Sequence, residues 1–156
     1  DPQELWAKLG PEPLDEVLTD EIFYQRLIQR RRQLKPLLMD QSFLAGMGNI
    51  YTDEALFQAG LHPLQNSAEI NREQAAYLLH AIRTQLKQGI ERNGASIDWV
   101  YRGGSFQNTF LVYGKNGTNC SRCGTVIEKI MVGQRGTHFC PTCQQIFRAG
   151  SDSEEG

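Results

Sequence analysis

Four cysteines carry the clearest chemical signal in the chain. They form two Cys-x-x-Cys pairs, Cys120 with Cys123 and Cys140 with Cys143, and sixteen residues separate the pairs. Two pairs at this separation suit tetrahedral binding of zinc by thiolates. Two disulfides are the alternative, but no secretory signal pattern supports them, and the repeated Cys-x-x-Cys spacing argues against them. The spacing therefore predicts one zinc ion held by these four residues.

The ion at this site is expected to be structural. Four thiolates leave no coordination position for water, so Lewis-acid catalysis is not predicted, and His138 is not needed as a fifth ligand. Between the pairs, the sequence predicts a strand over Val126–Val132, a turn over Gly133–Gly136 and a returning strand over Thr137–Phe139. The expected unit is a β-hairpin clamped at its base by zinc.

A second pattern suited to chemistry runs from Asp40 to Pro63. Gly46 and Gly48 permit positive φ and allow close approach to the backbone. Asn49 is predicted to cap a helix that starts at Ile50, and Gly60 is predicted to end that helix in the left-handed conformation. A helix N-terminus exposed between glycines is suited to binding an anion, although many Gly-x-Gly-Asn turns bind nothing.

Basic residues flank this turn. Thr19 is predicted to cap a helix that ends in a cluster of arginines, and Lys35-Pro36 is predicted to begin a short second helix. The clustered arginines either form a solvated helix end or contact a DNA backbone; they are Arg26, Arg30, Arg31 and Arg32.

Charge is segregated along the chain. The net charge is −2, but residues 1–21 carry −6, residues 22–150 carry +7 and residues 151–156 carry −3. The middle of the chain is therefore basic enough to bind a polyanion.

The longest predicted helix follows a polar loop over residues 64–70. Asn71 and Gln74 have the spacing of a capping box, and apolar residues recur at a period of 3.6 until Asn93-Gly94, which is predicted to end the helix. His80 lies beside the apolar stripe and is interpreted as structural or solvated. Residues 95–105 are predicted to form a loop, and Phe106–Gly114 alternates as a strand does.

Two of these segments together resemble a known family. Lys35-Pro36-Leu37-Leu38-Met39-Asp40-Gln41 and Gly46-Met47-Gly48-Asn49-Ile50-Tyr51 are similar to the helix–two-turns–helix segment of bacterial formamidopyrimidine-DNA glycosylases. The resemblance runs from about Leu9 to the last cysteine and covers only the C-terminal half of that family.

The resemblance implies roles for individual residues. Asn49 and neighbouring backbone N–H groups would hold phosphates that flank a flipped, damaged nucleotide. Arg135 would enter the minor groove at the lesion and support the elimination step, and Lys35 is a further catalytic candidate near the lesion. The residues expected to bind DNA are Asn49, Gly48, Ile50, Tyr51, Lys35, Arg30, Arg31, Arg32 and Arg135.

The resemblance also makes predictions for residues 95–105 and for the N-terminal residues. It implies that residues 95–105 form a mobile loop over the everted base, a few residues shorter here than is common. The nucleophile of the family is an N-terminal proline, but Pro2 is acylated by Asp1 and followed by Gln3, so it is rejected as a nucleophile.

The expected fold is mainly α with a small β part. It comprises a linker over residues 1–18, a helix–two-turns–helix DNA-binding domain over 19–105, a four-cysteine zinc-ribbon β-hairpin over 106–148 and a disordered acidic tail over 149–156. No apolar run reaches membrane-spanning length, which favours a soluble intracellular protein or a fragment of one. The resemblance implies a bacterial cytoplasmic protein associated with the nucleoid.

Three functions are compatible with the sequence. The first is the DNA-binding portion of a bifunctional glycosylase/AP lyase that removes oxidised purines, with this portion binding damaged DNA as a monomer without supplying the nucleophile. The second is a stand-alone zinc-containing DNA-binding module, or an endonuclease VIII-like fragment directed at oxidised pyrimidines. The third is a zinc ribbon whose arginines contact acidic protein partners.

Overall fold

The computed structural model describes residues 9–101 and 110–148, with the backbone alone between residues 92 and 101. Over these residues it contains four α-helices, one 3-10 turn over Ser67–Glu69 and one two-stranded antiparallel sheet. This architecture confirms the predicted fold class. The elements are α1 (Asp20–Arg30), α2 (Leu34–Leu38), α3 (Asn49–Ala59), α4 (Arg72–Tyr101), β1 (Glu128–Val132) and β2 (Arg135–Phe139).

Some predictions lie outside the described residues. These are the predictions for residues 1–8, for 102–109 and for the acidic tail from 149. Among the helices that the structure does describe, none combines the length and the apolar character needed to cross a membrane.

Helix α1 begins as the sequence predicts. The Thr19 hydroxyl accepts a hydrogen bond from the backbone N–H of Ile22 at 3.2 Å, which satisfies one of the free donors of the first turn. Phe23 and Leu27 point from this helix into the core and are 0% exposed. The helix ends at Arg30, and the next residue, Arg31, has a left-handed φ of 51° at which the chain turns toward α2.

The prediction that Asn49 caps α3 is wrong. The cap is Gly48, and Asn49 is the first residue of the helix. The Asn49 side chain bonds elsewhere, because its Nδ2 donates to the carbonyl oxygen of Gly136 at 3.1 Å. The other end of the helix is as predicted: Gly60 has a φ of 73°, and its N–H donates back to the last turn.

Helix α4 has the predicted start and a different end. Asn71 and Gln74 form the capping box, with the two backbone N–H groups donating to the opposite side chains at 2.8 and 2.7 Å. The predicted end at Asn93-Gly94 is wrong, since the backbone stays helical to Tyr101. A glycine inside a helix costs only about 1 kcal/mol relative to alanine, which is too little to stop an established helix.

The four helices and their connections, here called the helical body, share one apolar core. This core lies where α1, α2, α3 and the first half of α4 meet. Its members are Leu18, Phe23, Leu27, Leu34, Leu37, Leu38, Phe43, Leu44, Met47, Ala55, Leu56, Leu61, Ile70, Ala75, Leu78, Leu79, Ala81 and Ile82.

Residues 110–148, here called the zinc ribbon, contain the hairpin. Strands β1 and β2 pair with Glu128 opposite Phe139 and Val132 opposite Arg135. The turn comprises only Gly133 and Gln134, whose φ values of 56° and 66° suit a two-residue turn between twisted strands. The predicted four-residue turn is therefore wrong, and Arg135 is the first residue of β2.

The predicted strand over Phe106–Gly114 is also wrong where the structure describes it. Residues 110–114 form bends and a turn and not a strand. The backbone N–H groups of Leu111, Val112 and Tyr113 are bound by the Glu54 carboxylate and not by a neighbouring strand.

Candidate metal centre and nucleic-acid interface

The four cysteine sulfurs converge as a tetrahedral metal site requires. Their Sγ atoms all lie within 4.8 Å of one another, with Cys120 to Cys143 at 3.8 Å and Cys123 to Cys140 at 3.4 Å. Zinc–sulfur bonds of about 2.3 Å in a tetrahedron place the sulfurs about 3.8 Å apart. The residues present therefore fit zinc, which would fix both ends of the ribbon and take no part in catalysis, because four sulfurs fill its coordination.

The thiols differ in their affinity for protons. Burial raises the pKa of Cys143 to about 12 and also raises the pKa of Cys140. Hydrogen bonds from Thr125 lower the pKa of Cys123 to about 6. Metal binding at this cluster must displace protons from the two thiols with raised pKa, so zinc affinity should weaken as the pH falls.

Two adjacent carboxylates on α3 attach the zinc ribbon to the helical body. Glu54 is 3% exposed and accepts three backbone hydrogen bonds at 2.8 Å, from Leu111, Val112 and Tyr113. These bonds fix the segment through which the chain enters the ribbon. Since the carboxylate is almost fully buried, the three N–H groups supply the polar contacts that water would otherwise provide.

Asp53 makes the second attachment. Its side chain is 0% exposed; one oxygen accepts from the Lys35 ammonium, and the other accepts from the backbone N–H of His138 at 3.0 Å. The same oxygen lies 3.1 Å from His138 Nδ1, and a hydrogen bond between them requires that nitrogen to carry the proton. One carboxylate on α3 thus binds both α2 and β2.

A cavity of about 260 Å³ lies between α2 and the hairpin turn. Three basic side chains and one carboxylate line it, so we call it the cationic cavity. Gly133 brings the turn close to α2, because a Cβ added there would lie 3.4 Å from Pro36 Cγ. The lining residues are Arg32, Lys35, Pro36, Met39, Asp40, Val132, Gly133 and Arg135.

Two of the basic side chains at this cavity form ion pairs, Arg32 with Asp40 and Lys35 with Asp53. Arg32 Nη1 lies 2.8 Å from Asp40 Oδ2, and hydrogen bonds from Ser42 and Arg32 lower the pKa of Asp40 to about 2. Burial lowers the pKa of Lys35, the Asp53 carboxylate opposes that shift, and Arg135 adds to it by repulsion. The repulsion between Lys35 and Arg135 means that an anion between them would be bound favourably.

The structure brings only some of the sequence-predicted residues together. Lys35, Arg32 and Arg135 meet at the cationic cavity, and Asn49 reaches the hairpin through its bond to Gly136. Arg30 and Arg31 are exposed at the end of α1, away from the lining of this cavity. The Arg30 guanidinium carbon lies 5.8 Å from the centre of the Phe43 ring.

The residues of the α3 N-terminus face different surroundings. A Cβ added at Gly48 would meet no atom within 4 Å, so the backbone there is open to an approaching group. Ile50 is half-buried, and Tyr51 packs toward α4, where a Cβ added at Gly89 would lie 2.3 Å from the Tyr51 hydroxyl. The Tyr51 ring therefore points away from the cationic cavity.

Sequence reasoning missed the residues that join the two regions. The sequence placed Asp53 and Glu54 only as positions in a helical pattern, and their adjacency in a helix with no other charge was the one signal. Lys129 of β1 packs within the hairpin. Its Cε lies 3.0 Å from the position of a Cβ on Gly136, so its stem covers the residue that Asn49 binds.

Comparison with known families gives two matches. The formamidopyrimidine-DNA glycosylase H2TH domain family matches residues 9–100, which is more than half of the chain. The zinc finger found in FPG and IleRS matches residues 119–146 and includes all four cysteines. The cysteine cluster is accordingly the ligand set of one structural zinc ion.

Curated relatives agree with these matches. The formamidopyrimidine-DNA glycosylase of Herpetosiphon aurantiacus is 46% identical over 141 residues, covering 88% of this chain and 52% of that protein. The enzyme of the same name from Thermomicrobium roseum is 47% identical over 145 residues, covering 90% of this chain and 50% of that protein. The chain spans about half the length of the curated relatives it matches.

Solved structures show the same fold. The Lactococcus lactis formamidopyrimidine-DNA glycosylase bound non-covalently to DNA containing an AP site is 40% identical, with a TM-score of 0.79. That match covers 92% of this chain and 52% of the other. A structure of MutM with DNA containing carbocyclic 8-oxo-G is 42% identical, with a TM-score of 0.80, and covers 92% and 54% of the two chains. By its family matches and its relatives, this chain belongs to the formamidopyrimidine-DNA glycosylase family.

Proposed function

We propose that this chain is the DNA-binding portion of a bifunctional DNA glycosylase/AP lyase that removes oxidised purines such as 8-oxoguanine and formamidopyrimidines. In this proposal the chain binds duplex DNA that contains a damaged base or an abasic site, and it does so as a monomer. The relatives carry the name of this enzyme, and structures similar to the chain are complexes with AP-site and FAPY-dG DNA.

The observation that carries the proposal is the cationic cavity. Arg32, from the connection between α1 and α2, and Lys35 of α2 meet Arg135 of the hairpin across a space of about 260 Å³. The open backbone at Gly48 and the amide of Asn49 lie at the N-terminus of α3, which also contacts the hairpin. A helix N-terminus beside converging cations is suited to a phosphate backbone.

The proposed contacts divide by chemistry. Arg32 and Arg135 supply charge to backbone phosphates and Lys35 supplies a cation in the cavity wall, while Asn49 and the N–H groups at Gly48 and Ile50 supply neutral hydrogen bonds. Arg135 additionally supports the elimination step as its guanidinium approaches the sugar-phosphate at the lesion. Lys35 contributes charge rather than a nucleophilic amine, because its ammonium is 1% exposed and paired with Asp53.

The remaining predicted contacts lie outside the lining of the cationic cavity. Arg30 and Arg31 are proposed to reach DNA beyond the cavity, and Tyr51 to act by its backbone N–H because its ring packs on α4.

The domain limits and the cellular location are part of the proposal. The linker over 1–18, the DNA-binding domain over 19–105, the ribbon over 106–148 and the tail from 149 remain the proposed divisions. The relatives compared above come from bacteria, which supports a place in the bacterial cytoplasm at the nucleoid.

Fluorescence anisotropy tests the proposal with the full chain and two matched duplexes. One duplex contains a tetrahydrofuran abasic-site analogue, and the other contains an intact base pair. The chain should bind the abasic duplex more tightly, and Arg135→Ala should abolish this preference. Lys87→Ala is the charge-matched control, because Lys87 is exposed on α4 and does not border the cavity.

Two outcomes would refute the proposal. Equal binding of the parent chain to both duplexes would refute recognition of damaged DNA. Retention of the preference in Arg135→Ala would remove the hairpin from the lesion and would require another partner for the ribbon.

A further inference from the structure

Asp53 is a helix carboxylate that is completely buried instead of facing solvent. Its side chain is 0% exposed, and its partners come from two other elements, Lys35 of α2 and His138 of β2. The Lys35 side chain is 1% exposed. A buried ion pair is expensive to form, because both charges lose their hydration, and hydrophobic residues of similar volume often stabilise a fold equally well. Stability alone therefore does not explain why this pair is present.

The location of the pair is informative. Lys35 lies in the wall of the cationic cavity, opposite Arg135, while Asp53 lies behind it on α3. His138, which follows Arg135 along β2, is bound to Asp53 by both its backbone N–H and its ring. Asp53 thus fixes a cation on one side of the cavity and also the strand that carries the cation on the other side.

We propose that Asp53 is a positioning residue for DNA binding: it holds the Lys35 ammonium charged in the cavity wall and fixes β2 so that Arg135 faces it. This inference rests on the proposed function and deepens it. Asp53 does not touch DNA in this arrangement. It acts through Lys35 and through the hairpin.

The groups that face Lys35 determine its charge. On α3 the facing group is Asp53, on the hairpin it is Arg135, and His138 contacts Asp53. Arg32 and Asp40 flank α2 and are paired with each other. Asp53 is the carboxylate in direct contact with Lys35 among the described residues, so its removal leaves a buried ammonium beside Arg135 with no counter-ion.

NMR titration of the full chain tests the first half of the proposal without DNA. The Lys35 side-chain signal is assigned in isotopically labelled protein by its disappearance in Lys35→Arg. In Asp53→Asn, Lys35 should lose its proton at a lower pH than in the parent chain, because burial is no longer opposed by a carboxylate. Glu73→Gln is the charge-matched control, since Glu73 is exposed on α4 and bonds Tyr77 rather than Lys35; it should leave the titration unchanged.

DNA binding tests the second half. For Asp53→Asn, affinity for the abasic duplex should fall as the pH rises through the range in which Lys35 loses its proton, whereas the affinity of the parent chain should stay level. For this variant, the slope of log affinity against log salt should be less steep by about one unit above that range than below it, as expected for one lost cation. A residue with only a structural role would not change the pH profile in this way.

The possible results separate this inference from the proposed function. If the parent chain does not bind the duplex, the proposed function fails, and the NMR titration still decides whether Asp53 maintains the charge of Lys35. If the parent binds, and Asp53→Asn has the parent's Lys35 titration and a salt slope that does not change with pH, the inference is overturned.

A double variant covers the case in which Asp53→Asn does not fold. Asp53→Asn with Lys35→Met removes both buried charges and should fold, because neither partner is left unpaired. Its net charge equals the parent's, so its salt slope should match the parent's and stay level with pH, while its affinity for the abasic duplex should be weaker because the cavity wall has lost its cation. An affinity equal to the parent's in this folded double variant would show that the buried pair contributes nothing to DNA binding, and it would overturn the proposal.

Discussion

The helical body buries a cluster of eighteen apolar residues, whereas the corresponding cluster of the zinc ribbon has five members among the described residues. Of these five, two are cysteines and one is Phe57, which belongs to α3. A core of this size does not offset the conformational entropy of ordering the ribbon. The body is therefore held by apolar burial, and the ribbon by a metal ion and by polar contacts to the body.

This difference assigns a special role to α3. It contributes apolar residues to the core of the body, and it also binds the ribbon along its length. Asn49 donates to Gly136, Asp53 and Glu54 accept from the ribbon backbone, and the carbonyl oxygen of Phe57 accepts from Arg122 at 3.2 Å. One helix thus fixes the orientation of a region that has little core of its own.

Zinc removal should produce the largest effect. Structural zinc sites supply about 10–16 kcal/mol of apparent binding energy, which becomes folding energy for a unit without a core. On chelation, amide NMR signals from residues 115–148 should collapse, while those of the helical body should persist. The loss should occur more readily at low pH, because protons compete for Cys140 and Cys143, whose pKa values are raised.

The control for zinc removal is re-addition of zinc to the chelated protein, which should restore the ribbon signals. A single cooperative loss of signals from both regions would contradict the distinction between a core-held body and a metal-held ribbon.

Glu54→Gln should have the next largest effect. The glutamine keeps one acceptor oxygen but replaces the other by an NH2 group, which faces the backbone N–H donors of residues 111–113. The buried hydrogen bonds to a charged carboxylate are therefore lost. The expected loss is about 3 kcal/mol of unfolding free energy, measured by denaturant titration. Glu73→Gln is the control, because Glu73 accepts an exposed bond from Tyr77; a loss as small as that of the control would show that Glu54 does not hold the ribbon.

Asn49→Ala should weaken DNA binding by about 1–2 kcal/mol and leave the salt dependence unchanged, because the amide is neutral. Part of this loss reflects the broken bond to Gly136, which connects the two regions. Anisotropy titrations over several salt concentrations supply the measurement, with Asn116→Ala as an exposed control. A change of one unit in the salt slope would mean that the substitution had displaced Arg135.

Asn71→Ala should have the smallest effect and should act on the helical body alone. It removes half of the capping box of α4 and should cost about 1 kcal/mol in stability. Denaturant titration followed by helical circular dichroism measures it. Zinc content should be unaffected, and a loss of zinc in this variant would show that the two regions are less independent than the structure indicates.

Sequence patterns predicted the parts of this structure that depend on local chemistry. The Thr19 cap, the Asn71–Gln74 capping box and the left-handed Gly60 are all present, because each is decided by a few neighbouring residues. The cysteine cluster was predictable for a similar reason, since its spacing already specifies a tetrahedral site.

The errors arose where distant residues decide the structure. Asn49 was predicted to cap its own helix, but a carbonyl at Gly136 binds its amide instead. Residues 110–114 were predicted as a strand, but Glu54 binds their backbone N–H groups. Asp53 was not singled out at all, because its partners Lys35 and His138 are far away in the sequence.

The salt dependence of DNA binding most directly tests whether the two regions form one DNA-binding surface. Affinity for the abasic duplex is measured across salt concentrations for the parent, Arg32→Ala from the body, Arg135→Ala from the ribbon, and the double variant. Each single substitution should make the log–log slope less steep by about one unit and the double variant by about two, because each cation neutralises its own phosphate. If only one substitution changes the slope, only one region contacts DNA, and the two regions do not form a shared surface.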